Sequence, residues 1–188
     1  QKVPNKKIII AFSGGEPTLH PQFIDIIKYL SDKGCEVTMT TNGSRPLTWW
    51  EKAEPYIDHL VISYHPKWTK KEKLQKNIEF LTKTTWVNLD LMMNPDHWDE
   101  ILEVGEKFKG LKNIAVNYLP IQKDFGNGAE GLIDYTQKQL NFLKNPPNYY
   151  GEFIPAQSKL KKCKGEFGRG GKLMETSEGI EKLDYKKL

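Results

Sequence analysis

The stretch KIIIAFSGGEPTLHP, residues 7–21, decides the predicted fold. Its apolar, β-branched first half is typical of a buried strand, and the glycine pair, acid and two prolines that follow are typical of a functional loop. Gly14 and Gly15 lack a Cβ atom, so the main chain there can turn sharply and come within hydrogen-bonding distance of a ligand. Glu16 places a carboxylate beside exposed carbonyl groups. We expect an acceptor-rich pocket for an ammonium group at the carboxyl end of the strand, where α/β folds bind their ligands.

Strand and helix patterns alternate along the first two thirds of the chain. The strand patterns cover residues 7–12, 36–41, 59–65, 86–93 and 114–119, and residues with helical spacing lie between them. No hairpin signal joins two neighbouring strands. This order predicts an α/β fold with a parallel sheet and right-handed crossovers.

Three pairs of residues have the spacing of a capping box, in which a threonine precedes a helix and a Glu or Gln follows three residues later. The pairs are Thr48 with Glu51, Thr69 with Glu72, and Thr136 with Gln139. They predict one helix that begins at Trp49, one that opens after Thr69, and one that opens after Thr136 and stops before Pro146 and Pro147.

Alternation within the strands predicts one face for the helices and one face for the inside of a closed or partly closed barrel. Leu60, Ile62 and Tyr64 are predicted to face the helices. The inner face is predicted to carry mainly polar side chains: Ser13, Thr38, Thr40, Asn42, Ser63, His65, Asn88, Asp90, Met92 and Asn117. For any one of them, pairing with a neighbour or with water is an equal alternative. Because each unpaired buried polar group costs about 1–3 kcal/mol, the repeated set favours a ligand cavity.

Composition limits the kinds of partner that the protein can have. The 28 basic and 24 acidic residues give a net charge of +4, and Arg45 and Arg169 are the only arginines. Since arginine is the bidentate reader of phosphates and guanine edges, this composition argues against a nucleic-acid interface. No apolar run approaches the ~18 residues of a membrane span, which predicts no membrane partner.

The two cysteines, Cys35 and Cys163, lie far apart and form no metal-ligand pair, so we predict no metal site within this sequence. Two cysteines in this length do not make a disulfide framework. This predicts a reducing, cytoplasmic location.

From Gln122 onward the periodic pattern loosens. Glycines at positions 126, 128 and 131 predict a flexible connection before the helix that follows Thr136. We therefore divide the chain into a core, residues 1–122, and a C-terminal cap or tail, residues 123–188. A substrate-side cap and a poorly ordered tail both fit this second part.

Ser13 to Thr18 resembles the Gly-Gly-Glu-Pro motif of radical S-adenosylmethionine (radical SAM) enzymes, and Thr41-Asn42-Gly43 resembles the Thr-Asn-Gly that such proteins often carry on the next strand. The alternative is an ordinary tight turn between a strand and a helix. The resemblance covers roughly residues 5 to 122. It implies a partial parallel (β/α) barrel of the radical SAM, TIM-barrel-like type, whose first strand and cluster loop are missing.

The resemblance also implies roles for individual residues. Ser13, Gly14, Gly15, Glu16 and Pro17 would hold the amino group of the cofactor S-adenosyl-L-methionine.

Thr41 and Asn42 would lie near the methionine moiety of the cofactor, and Ser63 would reach its carboxylate or ribose. His65 stands where many members have an acidic residue. It would either hydrogen-bond the ribose or substrate, or serve as a structural histidine before Pro66.

The family's CxxxCxxC loop, whose three thiolates hold a 4Fe-4S cluster, is absent from this sequence. We expect the cluster ligands upstream of Gln1, because in the family this loop precedes the glycine motif. Cys163 would ligate an auxiliary cluster or be a buried or free thiol. The resemblance further implies a small-molecule or peptide substrate and an external electron donor such as flavodoxin or ferredoxin.

Two hypotheses follow. The first is a radical SAM enzyme core that binds S-adenosylmethionine and, with a cluster bound upstream, generates a 5′-deoxyadenosyl radical for hydrogen abstraction from a substrate. It predicts that the reading frame upstream of Gln1 encodes CxxxCxxC. The second is a cluster-free half-barrel that binds a nucleoside-like ligand without redox chemistry.

Overall fold

Five parallel strands with helices between them form the body of the structure, a computed structural model that describes residues 8–123 and 131–154. In chain order the elements are β1 (Ile9–Phe12), α1 (Phe23–Asp32), β2 (Glu36–Thr41), α2 (Leu47–Ala53), β3 (His59–Tyr64), α3 (Lys71–Leu81), β4 (Trp86–Met92), α4 (Trp98–Phe108), β5 (Ile114–Leu119), α5 (Gln137–Lys144) and β6 (Tyr149–Tyr150). Short 3₁₀ helices span Pro17–Leu19, Glu54–Tyr56 and Pro95–His97.

The sheet has the strand order β1-β2-β3-β4-β5-β6. The pairings from β1 to β5 are all parallel, which confirms the predicted α/β fold with a parallel sheet. The described strands form an open sheet, in agreement with a partial barrel. The two-residue β6 pairs antiparallel with β5 and was not predicted, because a Tyr-Tyr pair between loops has no measurable period.

One face of the sheet packs against the helices and forms the core. Leu60, Ile62 and Tyr64 of β3 are fully buried on this face, as are the alternate apolar residues of β4, Val87, Leu89 and Leu91. The opposite face, which we call the open face, carries the intervening residues of each strand. Most of these are only half-buried, which confirms the predicted two sides of β3 and β4. The open face is not polar throughout, because it also carries Ile9 and Ala11 of β1 and Ala115 and Leu119 of β5.

Two of the three predicted capping boxes are wrong. The helix α2 begins at Leu47 after Pro46, with no side-chain cap, because the fixed φ of Pro46 (−68°) already suits a helix start and Thr48 falls inside the first turn. The helix α3 is preceded by Lys70, and the Thr69 hydroxyl instead donates to the carbonyl oxygen of Asn42 at 2.9 Å. The third box, Thr136 with Gln139, is confirmed with both reciprocal hydrogen bonds.

Residues 131–154 pack on the core through aromatic contacts. Phe142 of α5 meets Trp98 and Tyr118 edge-on, with ring centroids 5.4 and 5.5 Å apart. Phe153 meets Trp86 at 5.9 Å. The rest of the predicted C-terminal part lies outside the described residues, and so do Cys163, Gly126 and Gly128.

Tyr118 is a buried tyrosine whose hydroxyl has no hydrogen-bond partner among the described residues. Burial, with the charge of Glu106, raises its pKa to about 12. Replacing Tyr118 with phenylalanine removes this unpaired group and keeps the ring contact with Phe142. We expect Tyr118→Phe to raise the free energy of unfolding by about 1 kcal/mol, measured by urea denaturation. A loss of stability would show that the hydroxyl is paired.

Candidate functional site

The loop after β1 exposes its main chain at the carboxyl edge of the sheet. Ser13, Gly14 and Gly15 are all exposed. Gly14 and Gly15 have φ values of +86° and +55°, in the left-handed region, and a Cβ atom built on either would meet no heavy atom within 4 Å. The two glycines therefore serve the backbone conformation, and the space beside them is open to a ligand.

The Glu16 carboxylate ties this loop to the end of β2. Its Oε1 accepts hydrogen bonds from the Thr18 main chain (3.1 Å), the Thr18 hydroxyl (2.6 Å) and the Thr41 hydroxyl (2.8 Å). Its Oε2 accepts a hydrogen bond from the main-chain N–H of Asn42 at 2.6 Å. Oε1 is thus fully used by three donors, whereas Oε2 accepts one bond among the described residues and keeps a lone pair for a further donor.

Asn42 lies at the centre of the second loop. Its main-chain N–H binds Glu16, its carbonyl oxygen accepts from Thr69, and its Oδ1 accepts from the main chain of Ser44 at 2.9 Å. The next residue, Gly43, has a φ of +70°. Three separate contacts thus hold the Asn42 backbone and side chain in one orientation.

Asn77 of α3 also holds the loop after β2 in place. This buried asparagine donates to the carbonyl oxygens of Gly43 (3.2 Å) and Arg45 (3.0 Å). Neither Asn77 nor Thr69 was predicted as a site residue. The signal for Asn77 was present, since it is a polar residue in the apolar stripe of α3 beside Leu74 and Ile78.

Thr41 differs from the other predicted residues of β2. It is buried on the helix-packed face, where its hydroxyl donates to Glu16 and accepts from the main chain of Gly43 at 3.1 Å. Thr38 and Thr40 lie on the open face, as predicted. The Thr41 side chain therefore positions Glu16 and Gly43, and any contact with a cofactor would come from its main chain.

The open face carries a row of polar residues across three strands. Ser63 of β3 is the register partner of Asp90 of β4, and Asp90 is the register partner of Asn117 of β5. Asn117 Nδ2 donates to Asp90 Oδ1 at 2.9 Å. Burial raises the pKa of Asp90, and this hydrogen bond opposes the rise.

The residues on either side of this row differ in character. Asn88 precedes Asp90 by two residues on the same face of β4, and its side-chain oxygen accepts a hydrogen bond from Trp86 Nε1 at 2.7 Å. Met92 follows Asp90 by two residues on the same face and is the register partner of Leu119 of β5. Trp86 is buried and its ring contacts Phe153, so two aromatic rings lie at the amino end of β4 on the open face.

His65 follows β3 at the carboxyl edge and is half-buried. Burial lowers its pKa, so its imidazole is neutral at neutral pH, with one donor and one acceptor nitrogen. Its carbonyl oxygen accepts from the main chains of Trp68 (2.9 Å) and Thr69 (3.2 Å). The structure thus fixes the His65 backbone in a tight turn, and Thr69 of this turn also donates to the carbonyl oxygen of Asn42.

Comparison with known proteins identifies the family. A sequence model of the Radical SAM superfamily matches residues 1–121. The chain belongs to the radical SAM superfamily. This confirms the predicted family. Members of this superfamily are enzymes that generally use S-adenosylmethionine and a 4Fe-4S cluster.

Two individual proteins are similar to this radical SAM chain. A probable GTP 3′,8-cyclase of Sulfurisphaera tokodaii is 29% identical over 130 residues, which is 67% of this chain and 36% of the cyclase. A solved structure of TYW1 with a lysine-pyruvate adduct bound is 23% identical, with a TM-score of 0.41, over 60% of this chain and 42% of that chain. The chain thus spans about a third of the length of its curated relative.

The residues at the carboxyl edge fit the amino-acid end of the radical SAM cofactor. An ammonium group needs several acceptors, and this edge offers the carbonyls of the exposed residues 13–15 and the remaining lone pair of Glu16 Oε2. The open space beside Gly14 and Gly15 would admit it.

The residues do not fit the cluster of the family. A 4Fe-4S cluster with one open iron needs three thiolates, and the sequence has only Cys35 and Cys163. Within residues 8–123 and 131–154, no three His, Cys, Asp or Glu side chains are placed to hold a metal ion, and Cys35 is a free thiol. Nor does the part of the chain that the structure describes contain a helix long and apolar enough to cross a membrane.

Proposed function

We propose that this chain is the cofactor-binding core of a radical SAM enzyme, which binds S-adenosylmethionine at the carboxyl edge of β1 to β3. The observation that carries the proposal is the Glu16 carboxylate. Through Thr41 and Asn42 it joins the loop after β1 to the loop after β2 and holds both sets of main-chain groups in place. Such a double loop is pre-organised, so little entropy is lost when a ligand binds.

In this proposal the cofactor's ammonium group binds the carbonyls of residues 13–15 and Glu16 Oε2. Pro17 begins the 3₁₀ helix after Glu16 and fixes the backbone there. Asn42 lies beside the methionine moiety. Ser63 hydrogen-bonds the carboxylate or ribose, and the neutral His65 hydrogen-bonds the ribose or substrate, since both lie at the carboxyl end of β3 and both can donate or accept.

The full protein would use the bound cofactor to generate a 5′-deoxyadenosyl radical for hydrogen abstraction from a small-molecule or peptide substrate. The thiolates that hold the 4Fe-4S cluster would come from a CxxxCxxC segment outside these 188 residues, upstream of Gln1. Electrons would come from an external donor such as flavodoxin or ferredoxin. The similarity to a probable GTP 3′,8-cyclase makes a guanine nucleotide the first substrate to examine.

Gly14→Ala tests the cofactor site with a closely matched control. Gly14 and Gly110 have φ values of +86° and +88°, and a Cβ atom on either meets nothing within 4 Å. Each alanine variant is expected to lose about 1 kcal/mol of stability from the left-handed backbone. Only Gly14→Ala is expected to lower the affinity for S-adenosylmethionine, by tenfold or more, in equilibrium dialysis with labelled cofactor. Equal affinities in the two variants would exclude the loop as the binding site.

The alternative function is a cluster-free half-barrel that binds a nucleoside-like ligand without redox chemistry. It needs no CxxxCxxC segment, and these 188 residues contain none. Affinity separates the two. A binding module would bind S-adenosylmethionine or S-adenosylhomocysteine tightly enough for calorimetry, whereas the enzyme core binds it weakly without the iron that chelates its amino and carboxylate groups.

A further inference from the structure

The row formed by Ser63, Asp90 and Asn117 has more hydrogen-bond acceptors than donors. Asp90 Oδ1 accepts one bond from Asn117 Nδ2. Within the described residues, Asp90 Oδ2 and Asn117 Oδ1 accept no side-chain hydrogen bond. The Ser63 hydroxyl can supply one donor, so acceptor capacity remains beside it.

No lysine or arginine of the described strands balances the Asp90 carboxylate on this face. The described strand residues on the open face, from Ile9 on β1 to Tyr150 on β6, include no lysine or arginine. A half-buried carboxylate held by one amide is poorly solvated, so a ligand that brings donors to it gains charge-assisted hydrogen bonds.

Asp90 and Asn117 lie farther from the ammonium site than Ser63, which stands between them and the cofactor. Neighbouring strands lie about 4.8 Å apart, so the side chains from β3 to β5 span roughly 10 Å in a line across the sheet. Asp90 lies two strands away from Asn42, which places it about 10 Å from the loops that Glu16 joins. The rings of Trp86 and Phe153 contact each other at the amino end of β4.

We propose that Asp90 and Asn117 bind the substrate through a planar group with paired N–H donors, such as the edge of a guanine base or a guanidinium. The carboxylate accepts two such donors side by side, and Asn117 Oδ1 accepts a further one. This inference rests on the proposed function, because it places a substrate group beside the cofactor site on the same open face.

The test is a binding titration of the full chain with guanosine, inosine, adenosine and agmatine. Inosine lacks the 2-amino donor of guanosine, and agmatine presents a guanidinium without a base. We expect guanosine or agmatine to bind, and whichever binds identifies the source of the donor pair. If guanosine binds, inosine is expected to bind at least tenfold more weakly.

Asp90→Asn is the variant for this test, because its Oδ1 can still accept the Asn117 hydrogen bond and the fold is preserved. It is expected to weaken binding of the donor-bearing probe at least tenfold. Asp32→Asn is the control, since it makes the same chemical change at an exposed position. Asp32 is the last residue of α1 and lies near the start of β2, at the amino edge of the sheet. This control is expected to change nothing.

Two results would overturn the proposal. One is that neither guanosine nor agmatine binds. The other is that Asp90→Asn weakens binding of adenosine or S-adenosylmethionine instead, which would assign the pair to the cofactor. Titration of S-adenosylmethionine on the same samples tests the proposed cofactor site separately from the proposed substrate site. Binding of the cofactor without either probe contradicts only this inference, and binding of a probe without the cofactor contradicts only the proposed function.

Discussion

Replacing Glu16 with alanine is expected to lower the free energy of unfolding by about 3 kcal/mol and to remove detectable binding of S-adenosylmethionine. The change leaves four donors without their acceptor, and two of the residues that provide them, Thr18 and Thr41, are buried. It also frees the loop after β1 from the loop after β2. Urea denaturation and saturation-transfer NMR with the cofactor measure the two effects.

Glu16→Gln is the matched control for this prediction. The amide keeps one acceptor oxygen, and the threonine hydroxyls can accept from its NH₂ group. We expect the glutamine variant to lose less stability than the alanine variant and to keep part of its cofactor binding. If Glu16→Ala is as stable as the unchanged protein, the network does not hold the two loops together.

Gly105→Ala is expected to lower the free energy of unfolding by about 2 kcal/mol, although alanine favours a helix by about 1 kcal/mol over glycine. Gly105 is buried in α4. A Cβ atom there would overlap the Tyr118 hydroxyl and lie 2.7 Å from Tyr118 Cζ and 2.9 Å from Leu91 Cδ1. Helix and sheet would have to move apart to admit it.

The double variant Gly105→Ala with Tyr118→Phe tests this mechanism. Removing the Tyr118 hydroxyl relieves the worst overlap, so the second change is expected to restore more stability than it adds to the unchanged protein. Purely additive effects in urea denaturation would show that the Tyr118 hydroxyl is not what Gly105 accommodates.

The strands were predictable from their apolar, β-branched runs, and the faces of β2 to β4 from the alternation of larger apolar residues with other residues. Leu60, Ile62 and Tyr64 lie on the helix side, and the residues between them lie on the open face, as their order in the sequence requires. The glycine loop was predictable as a sharp turn, because two adjacent glycines allow the left-handed backbone found there. The prediction that the strand before it is buried was wrong: Ile9 is 59% exposed, because β1 is the first strand of the described sheet and has a neighbour on one side only.

The contacts between the loops were not predictable, since they join residues far apart in sequence. Glu16 meets Asn42 across 26 positions, and Thr69 meets the Asn42 carbonyl across 27. The spacing from Thr69 to Glu72 suggested a cap instead, because a local pattern cannot show that a distant carbonyl competes for the same hydroxyl. The Asp90 to Asn117 bond likewise depends on strand register, which the sequence alone does not supply.

Saturation-transfer NMR of S-adenosylmethionine with this chain tests the central claim most directly. The claim is that the loops joined by Glu16 bind the amino-acid end of the cofactor. We expect weak binding, with the strongest saturation on the methionine protons and with free methionine competing for the site. Absence of any transfer, or transfer confined to the adenine protons and unaffected by methionine, would contradict the claim.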